Sequence, residues 1–161
     1  MSYFAAVLAR TNDQWCAVEV SLEDCESLAD IGDVARDVPG DVRLVLVEQD
    51  DEFAALVRVD DADDEARGFL SDGHAADSYP MAALIADDLE AIGEVEVFED
   101  EDAPHVHDSA PFGDADIAED LGTSAADLLS MCAHEGTLPI DVLVAVCEKA
   151  GCGAAFEDVR A

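Results

Sequence analysis

The chain has 161 residues, half of them apolar, and its 40 acidic residues face only seven basic ones, which gives a formal net charge of −33. A chain this rich in apolar residues folds despite its charge, so we expect a folded protein with an acidic surface and not a disordered one. Because nucleic-acid affinity comes largely from counterions that basic residues release, the charge argues against direct binding to RNA, DNA or anionic membranes and favours a basic protein partner.

The first 71 residues predict an antiparallel sheet. Short apolar or alternating runs bounded by turn-forming residues predict strands over residues 3–8, 15–20, 42–49, 53–59 and 67–71. Residues 11–14 form a turn between the first two strands, and Asp50-Asp51 suits a tight turn between the next two. Strands joined by such short connections favour an antiparallel sheet of about five strands.

Two helices are predicted between and after these strands. The first has apolar residues at helical spacing over residues 28–38 and ends at Pro39-Gly40. The second has Pro80 in its first turn and an apolar face that extends to Ile92. Residues 94–98 alternate again, which leaves a sixth strand open.

The composition changes after residue 98. Residues 99–113 are acidic, with two prolines and two histidines, and predict a linker or a long exposed loop. After them, residues 124–127 resemble a capping box that begins one helix, and Pro139 begins a second helix that Gly151 ends. The predicted α+β fold therefore has three parts: a domain at 1–98 with its sheet flanked by helices, a linker at 99–113, and a C-terminal helical hairpin at 114–161 packed on the main domain.

The five cysteines favour a reducing compartment. Their number is odd and their spacing is irregular, which does not suit a disulfide scaffold. Cys16, Cys132 and Cys147 lie among apolar neighbours, so we predict them in the core. Residues 2–9 are apolar, but they lack a basic leader and are too short for a signal peptide or a membrane span. We therefore predict a cytoplasmic protein.

Two groups of polar residues are candidates for chemistry. His105 and His107 lie two positions apart in the predicted linker, a spacing that can chelate a divalent metal ion in an extended loop. Asp72 and His74 flank a glycine just after a predicted strand. A solvated loop and a tight turn explain the same residues, so we assign no catalytic, cofactor-binding or metal-binding residue.

Several segments together carry a family resemblance. They are residues 1–10 with Trp15, residues 46–53, residues 58–60, residues 69–72 and the final helical hairpin. On these segments, and over most of its length outside the linker, the chain resembles a small actinobacterial family called tRNA adenosine deaminase-associated proteins. The resemblance implies an association with the deaminase, chiefly through gene neighbourhood, and it supplies no catalytic residues.

The resemblance does not imply that this chain is itself a deaminase. Zinc deaminases use a His-x-Glu motif and a later Pro-Cys-x-x-Cys motif, and neither motif occurs in this sequence. His134-Glu135 near Cys132 offers at most a fragment of a zinc site, since the closely spaced cysteine pair is missing.

We therefore expect a non-catalytic accessory protein that binds tRNA adenosine deaminase, or another basic protein, through its acidic surface. Trp15 lies on the more polar face of its strand and is a candidate anchor for such an interface. One alternative is an uncharacterised enzyme or metal-binding protein that uses the Asp72/His74 turn or the His105/His107 loop. A homodimer that uses an exposed sheet edge is another.

Overall fold

A computed structural model describes residues 3–61, 65–89, 111–134 and 137–160 of the chain. Within these residues the protein has an α+β fold with six strands and five α-helices. The strands are β1 (Phe4–Thr11), β2 (Gln14–Glu19), β3 (Val42–Gln49), β4 (Phe53–Asp60), β5 (Arg67–Leu70) and β6 (Phe112–Gly113). The helices are α1 (Leu28–Arg36), α2 (Pro80–Asp87), α3 (Ala125–Ala133), α4 (Pro139–Ala150) and α5 (Gly153–Arg160).

The six strands form one antiparallel sheet in the order β2-β1-β3-β4-β5-β6. Both predicted hairpins are present, and each connection contains two consecutive residues in the left-handed region. Asn12 and Asp13 have φ of 52° and 63°, and Asp50 and Asp51 have φ of 52° and 58°. Asn and Asp tolerate this conformation, and its twist matches that of the paired strands.

Helices cover both faces of the sheet, and a separate apolar core fills each side. On one face, α1 and α2 pack on residues such as Val45 and Val47 of β3. On the opposite face, α3, α4 and α5 pack on residues such as Leu44 and Leu46 of the same strand. Because β3 is buried on both faces, its sequence is a nearly continuous apolar run and does not alternate.

Several helix ends follow signals in the sequence, although α1 ends at Arg36 and not at the predicted Pro39-Gly40. Ser27 and Ser124 accept hydrogen bonds from the amides of Asp30 and Asp127, so each serine caps the start of its helix. Pro139 is the first residue of α4, as predicted, and Gly151 ends this helix with a φ of 91°. Glycine adopts this left-handed conformation at little cost, which is why the helix ends there.

The structure adds one strand and one α-helix to the predicted fold. The strand β6 pairs with β5 and uses the last residues of the predicted linker, so the sheet has six strands instead of about five. A two-residue strand is too short to show an alternating pattern. The helix α5 follows α4 after the Gly151 turn, and its Phe156 is fully buried with its ring 5.9 Å from that of Phe4.

Other boundaries differ or lie beyond the described residues. The helix α2 ends at Asp87, earlier than the apolar pattern up to Ile92 predicts, and Asp88 is its C-cap. Ile92 and the strand considered at 94–98 lie outside the described residues. The division into a sheet domain, a linker and a helical hairpin stays a prediction.

Candidate functional site

A cleft of about 560 Å³ lies at one end of the sheet, where β1 begins and where β2 and β3 end. Ten residues line it, and five of them are carboxylates, whereas none is basic. The five are Glu19, Glu23, Glu48, Asp50 and Asp51. We call this concavity the acidic cleft.

The strand order brings these carboxylates together. Because β1 runs antiparallel to both of its neighbours, the ends of β2 and β3 meet on either side of the start of β1. Ala6 lies opposite Glu19 in one register, and Phe4 lies opposite Glu48 in the other. The sequence does not predict this grouping. With forty acidic residues spread over the chain, pairs of neighbouring acids are common and do not identify a site.

Glu48 is the carboxylate of the cleft with the most perturbed surroundings. Burial is the largest cause that raises its pKa, while a hydrogen bond of 2.8 Å from the Asp51 amide to its Oε1 acts in the opposite direction. The charges of Asp51 and Asp50 raise the pKa of Glu48 further, and Arg160 lowers it by the smallest amount. A cation placed in this cleft would relieve the repulsion among the carboxylates.

The basic residues make their contacts outside the cleft, and the one that acts on a cleft carboxylate, Arg160 on Glu48, is the weakest influence on that group. All seven lie within the described residues, and five of them form ion pairs with aspartates: Arg36, Arg43, Arg58, Arg67 and Lys149. Arg10 and Arg160 lie over the rings of Trp15 and Phe156, at 5.8 and 5.4 Å from the ring centroids. The negative charge of the cleft therefore remains available to an external partner.

The predicted Asp72/His74 turn is present, with Asp72 at its start. Asp72 Oδ1 accepts a hydrogen bond of 2.9 Å from the His74 amide, which begins a short 3₁₀ helix over Gly73–Asp77. The side chain of His74 is exposed. Asp72 and His74 are therefore joined through the backbone, as in an ordinary capped turn.

Asp72 shares a second, smaller cavity of about 80 Å³ with Cys132 and His134, residues for which the sequence predicts no contact with Asp72. Burial, together with the charge of Asp72, raises the pKa of Cys132 to about 12. The thiol is therefore protonated at neutral pH and is a poor nucleophile. Within the described residues, no group of three His, Cys, Asp or Glu side chains could hold a metal ion.

The structure confirms some of the remaining predictions, contradicts one and leaves one untested. His105 and His107 lie outside the described residues, so a metal site in that loop stays a prediction. Cys147 is buried and Cys132 is partly buried, in line with their predicted place in the core. The prediction for Cys16 was wrong, because this residue lies exposed on the edge strand β2.

A family model described as Rv3753c-like tRNA adenosine deaminase-associated protein matches residues 3–153. The chain belongs to this family. The match includes every residue of the acidic cleft and ends at the first residue of α5. No curated protein and no solved structure matches the chain. In the part of the chain that the structure describes, no helix has both the length and the apolar character that crossing a bilayer requires.

Proposed function

We propose that the protein is a non-catalytic accessory protein that binds tRNA adenosine deaminase through an acidic surface centred on the acidic cleft. The family description supports the choice of partner. The observation that carries the proposal is the composition of the cleft, with five lining carboxylates and no lining basic residue. An enzyme that acts on tRNA needs basic residues to hold the phosphate backbone, and such a surface complements this cleft.

The role proposed for the complex follows from this charge complementarity. If the acidic surface covers basic residues that otherwise contact tRNA, the complex holds the enzyme idle, stores it or positions it. The same charge supports the absence of direct binding to nucleic acids. The absence of both zinc-deaminase motifs from the sequence supports a role without catalysis. Five free cysteines support a place in the cytoplasm.

The test is a binding measurement between the two purified proteins at low and at moderate salt. A triple variant, Glu19→Gln, Glu23→Gln and Glu48→Gln, removes three charges from the cleft. Glutamine keeps an oxygen that accepts the Asp51 amide, so the turn beside Glu48 is preserved. A matched control changes three exposed aspartates that do not line the cleft, Asp37, Asp77 and Asp87, to asparagine.

We expect the deaminase to bind the unmodified protein, with an affinity that falls as salt rises because exposed charges are screened. The cleft variant should bind about tenfold more weakly or worse, whereas the control should bind within about twofold of the unmodified protein. Equal losses in both variants would show that net charge acts without the cleft. No complex at any ionic strength would end the proposal.

A further inference from the structure

The strand β2 forms one edge of the sheet, and its outer side pairs with no described strand. The hydrogen bond from the Val20 amide to the Ala5 carbonyl oxygen, 3.0 Å long, fixes which backbone groups point outward. In an antiparallel pair, hydrogen-bonded and non-hydrogen-bonded positions alternate. Val20 and Val18 therefore point their amides toward β1, whereas Trp15, Ala17 and Glu19 point theirs away from the sheet.

Apart from Glu19 at its end, this edge lacks the charges that usually protect an exposed strand. Residues 14–18 are Gln, Trp, Cys, Ala and Val, an uncharged run on a protein with a net charge of −33. Cys16 is exposed, and Val18 is 43% exposed, one of two large apolar residues that are exposed within the described part of the chain. Natural edge strands are commonly blocked by charged residues, prolines or bulges, so this one is open to pairing.

Two concavities lie along the same strand. A groove of about 280 Å³ lies where its first half meets α5 and is lined by Trp15, Cys16, Ala17, Ala155, Asp158 and Val159. The acidic cleft adjoins its other end, where Glu19, Val20 and Ser21 contribute to the lining. At about 3.3 Å per residue, the groove at Ala17 and the cleft beyond Glu19 are about 7–13 Å apart, or two to four strand residues.

We propose that β2 binds an extended basic segment of the partner protein, which adds to the sheet as a seventh strand. Side chains on one face of an added strand recur at every second residue. The segment that fits therefore has an apolar residue in the groove beside Trp15 and an Arg or Lys two or four positions away, at the acidic cleft. This inference rests on the proposed function, because the partner is the deaminase.

Charge decides against a second copy of this chain as the occupant. Two copies that pair through β2 would bring together two surfaces of strong negative charge, including Glu19 and Glu23 of each, and such surfaces repel. A basic segment is instead attracted to the same edge, and the charge also steers it toward the cleft.

The first test substitutes Ala17→Pro. The Ala17 amide points outward, so proline removes a donor needed by the added strand and leaves the hydrogen bonds between β1 and β2 intact. Ala17→Ser is the matched control, because it changes the side chain at the same position and keeps the amide. We expect deaminase binding to weaken about tenfold or more for the proline variant, since its ring also occupies the place of the incoming carbonyl group. The serine variant should bind within about threefold of the unmodified protein.

The second test needs no substitution. Amide hydrogen exchange, measured by NMR, reports which backbone amides of β2 are hydrogen-bonded in the unmodified protein. The amides of Trp15, Ala17 and Glu19 should exchange rapidly in the free protein and become protected in the complex with the deaminase. The amides of Cys16 and Val18, already bonded to β1, serve as the internal reference.

The outcomes separate the two proposals. If the deaminase binds equally well to the proline variant and leaves these three amides unprotected, the strand pairing is wrong and the proposed function stands. If the deaminase does not bind the unmodified protein at all, both are wrong. If the free protein is a dimer that Ala17→Pro dissociates, the edge belongs to a second copy, and the basic-segment proposal is overturned.

Discussion

Arg58 and Asp120 lie 62 residues apart in the chain and are joined by two side-by-side hydrogen bonds, one of them 2.8 Å long. Arg58 also donates to the Ile117 carbonyl oxygen at 2.8 Å and to Asp60 at 2.9 Å. Its side chain is 5% exposed, whereas that of Asp120 is 64% exposed. A buried guanidinium on β4 thus attaches the segment that precedes α3 to the sheet, with its charge compensated at the surface.

Replacement of Arg58 should weaken this attachment. Arg58→Met fills a similar volume but leaves the Ile117 carbonyl oxygen without its donor, so we expect a loss of about 2 kcal/mol in the free energy of unfolding. Lys149→Gln, which removes an exposed ion pair with Asp127, is the control and should cost less than about 0.5 kcal/mol. Urea denaturation measures both, and equal losses would contradict a special role for Arg58.

The ion pair of Asp120 should make the stability of the protein depend on pH. The hydrogen bonds from Arg58 are the main cause that lowers the pKa of Asp120. A carboxyl group with a lowered pKa in the folded state stabilises the protein above its unfolded pKa, about 3.9, and loses this contribution as pH falls through the folded value. Asp120→Asn should therefore cost stability at pH 7, and the difference from the unmodified protein should shrink toward pH 3. A difference that stays constant with pH would argue against the ion pair as its source.

Replacement of Glu48 should change stability at neutral pH in the opposite direction. Its pKa is raised, chiefly by burial, so its ionised form destabilises the folded state at neutral pH. Glu48→Gln should therefore increase the free energy of unfolding at pH 7. The gain should disappear below the pKa of an unfolded glutamate, about 4.3, because Glu48 is then protonated in both the folded and the unfolded protein. A loss of stability at pH 7 would mean that the hydrogen bond from the Asp51 amide outweighs the cost of burial.

Thiol reactivity should follow exposure. Cys16 is exposed, Cys147 and Cys152 are buried, and burial raises the pKa of Cys132 to about 12. With a disulfide reagent at pH 8, Cys16 should react first, and Cys16→Ser should abolish this fast phase. Denaturant should expose the other thiols at once. A fast phase that survives in Cys16→Ser would show that another thiol is accessible in the folded protein.

Two glycines with similar backbone angles should respond differently to alanine. Gly151 has a φ of 91°, and a methyl group added there would meet open space, so Gly151→Ala should cost about 1 kcal/mol from backbone strain alone. At Gly113, with a φ of 97°, the added carbon would collide with the Gly68 carbonyl oxygen. Gly113→Ala should therefore cost clearly more, as measured by thermal or urea denaturation. Equal costs would show that β6 moves away from β5 without penalty.

The local elements could be predicted because their signals lie within a few residues. The turn at Asp50-Asp51 and the serine cap at Ser124 depend on near neighbours, and both are present in the structure. The alternation in β2 is present as well, but its faces are reversed. Trp15, predicted on the more polar face, is partly buried with Ala17, whereas Cys16 and Val18 are exposed. The strand β6 and the helix α5 were missed for the opposite reason. A two-residue strand and a helix that restarts after Gly151 gain their stability from contacts with distant residues, such as the packing of Phe156 on Phe4.

The candidate site could not be predicted from the sequence. The carboxylates of the cleft come from the end of β2, the segment after it, the end of β3 and the turn after β3, and they meet only because β1 lies between β2 and β3. Asp72, Cys132 and His134 also share a cavity although about 60 residues separate the first two, which no spacing rule anticipates.

The sequence by itself determined the α+β class, both hairpins, the ends of α4 and the start of α3. It could do so because the spacing of apolar residues and the turn and cap residues are properties of short segments. Only the tertiary structure decided which strand lies at the edge, which carboxylates share a cleft and which aspartates compensate Arg58. All three features depend on the order of strands that are distant in the sequence. That order is stabilised because it buries apolar residues on both faces of the sheet.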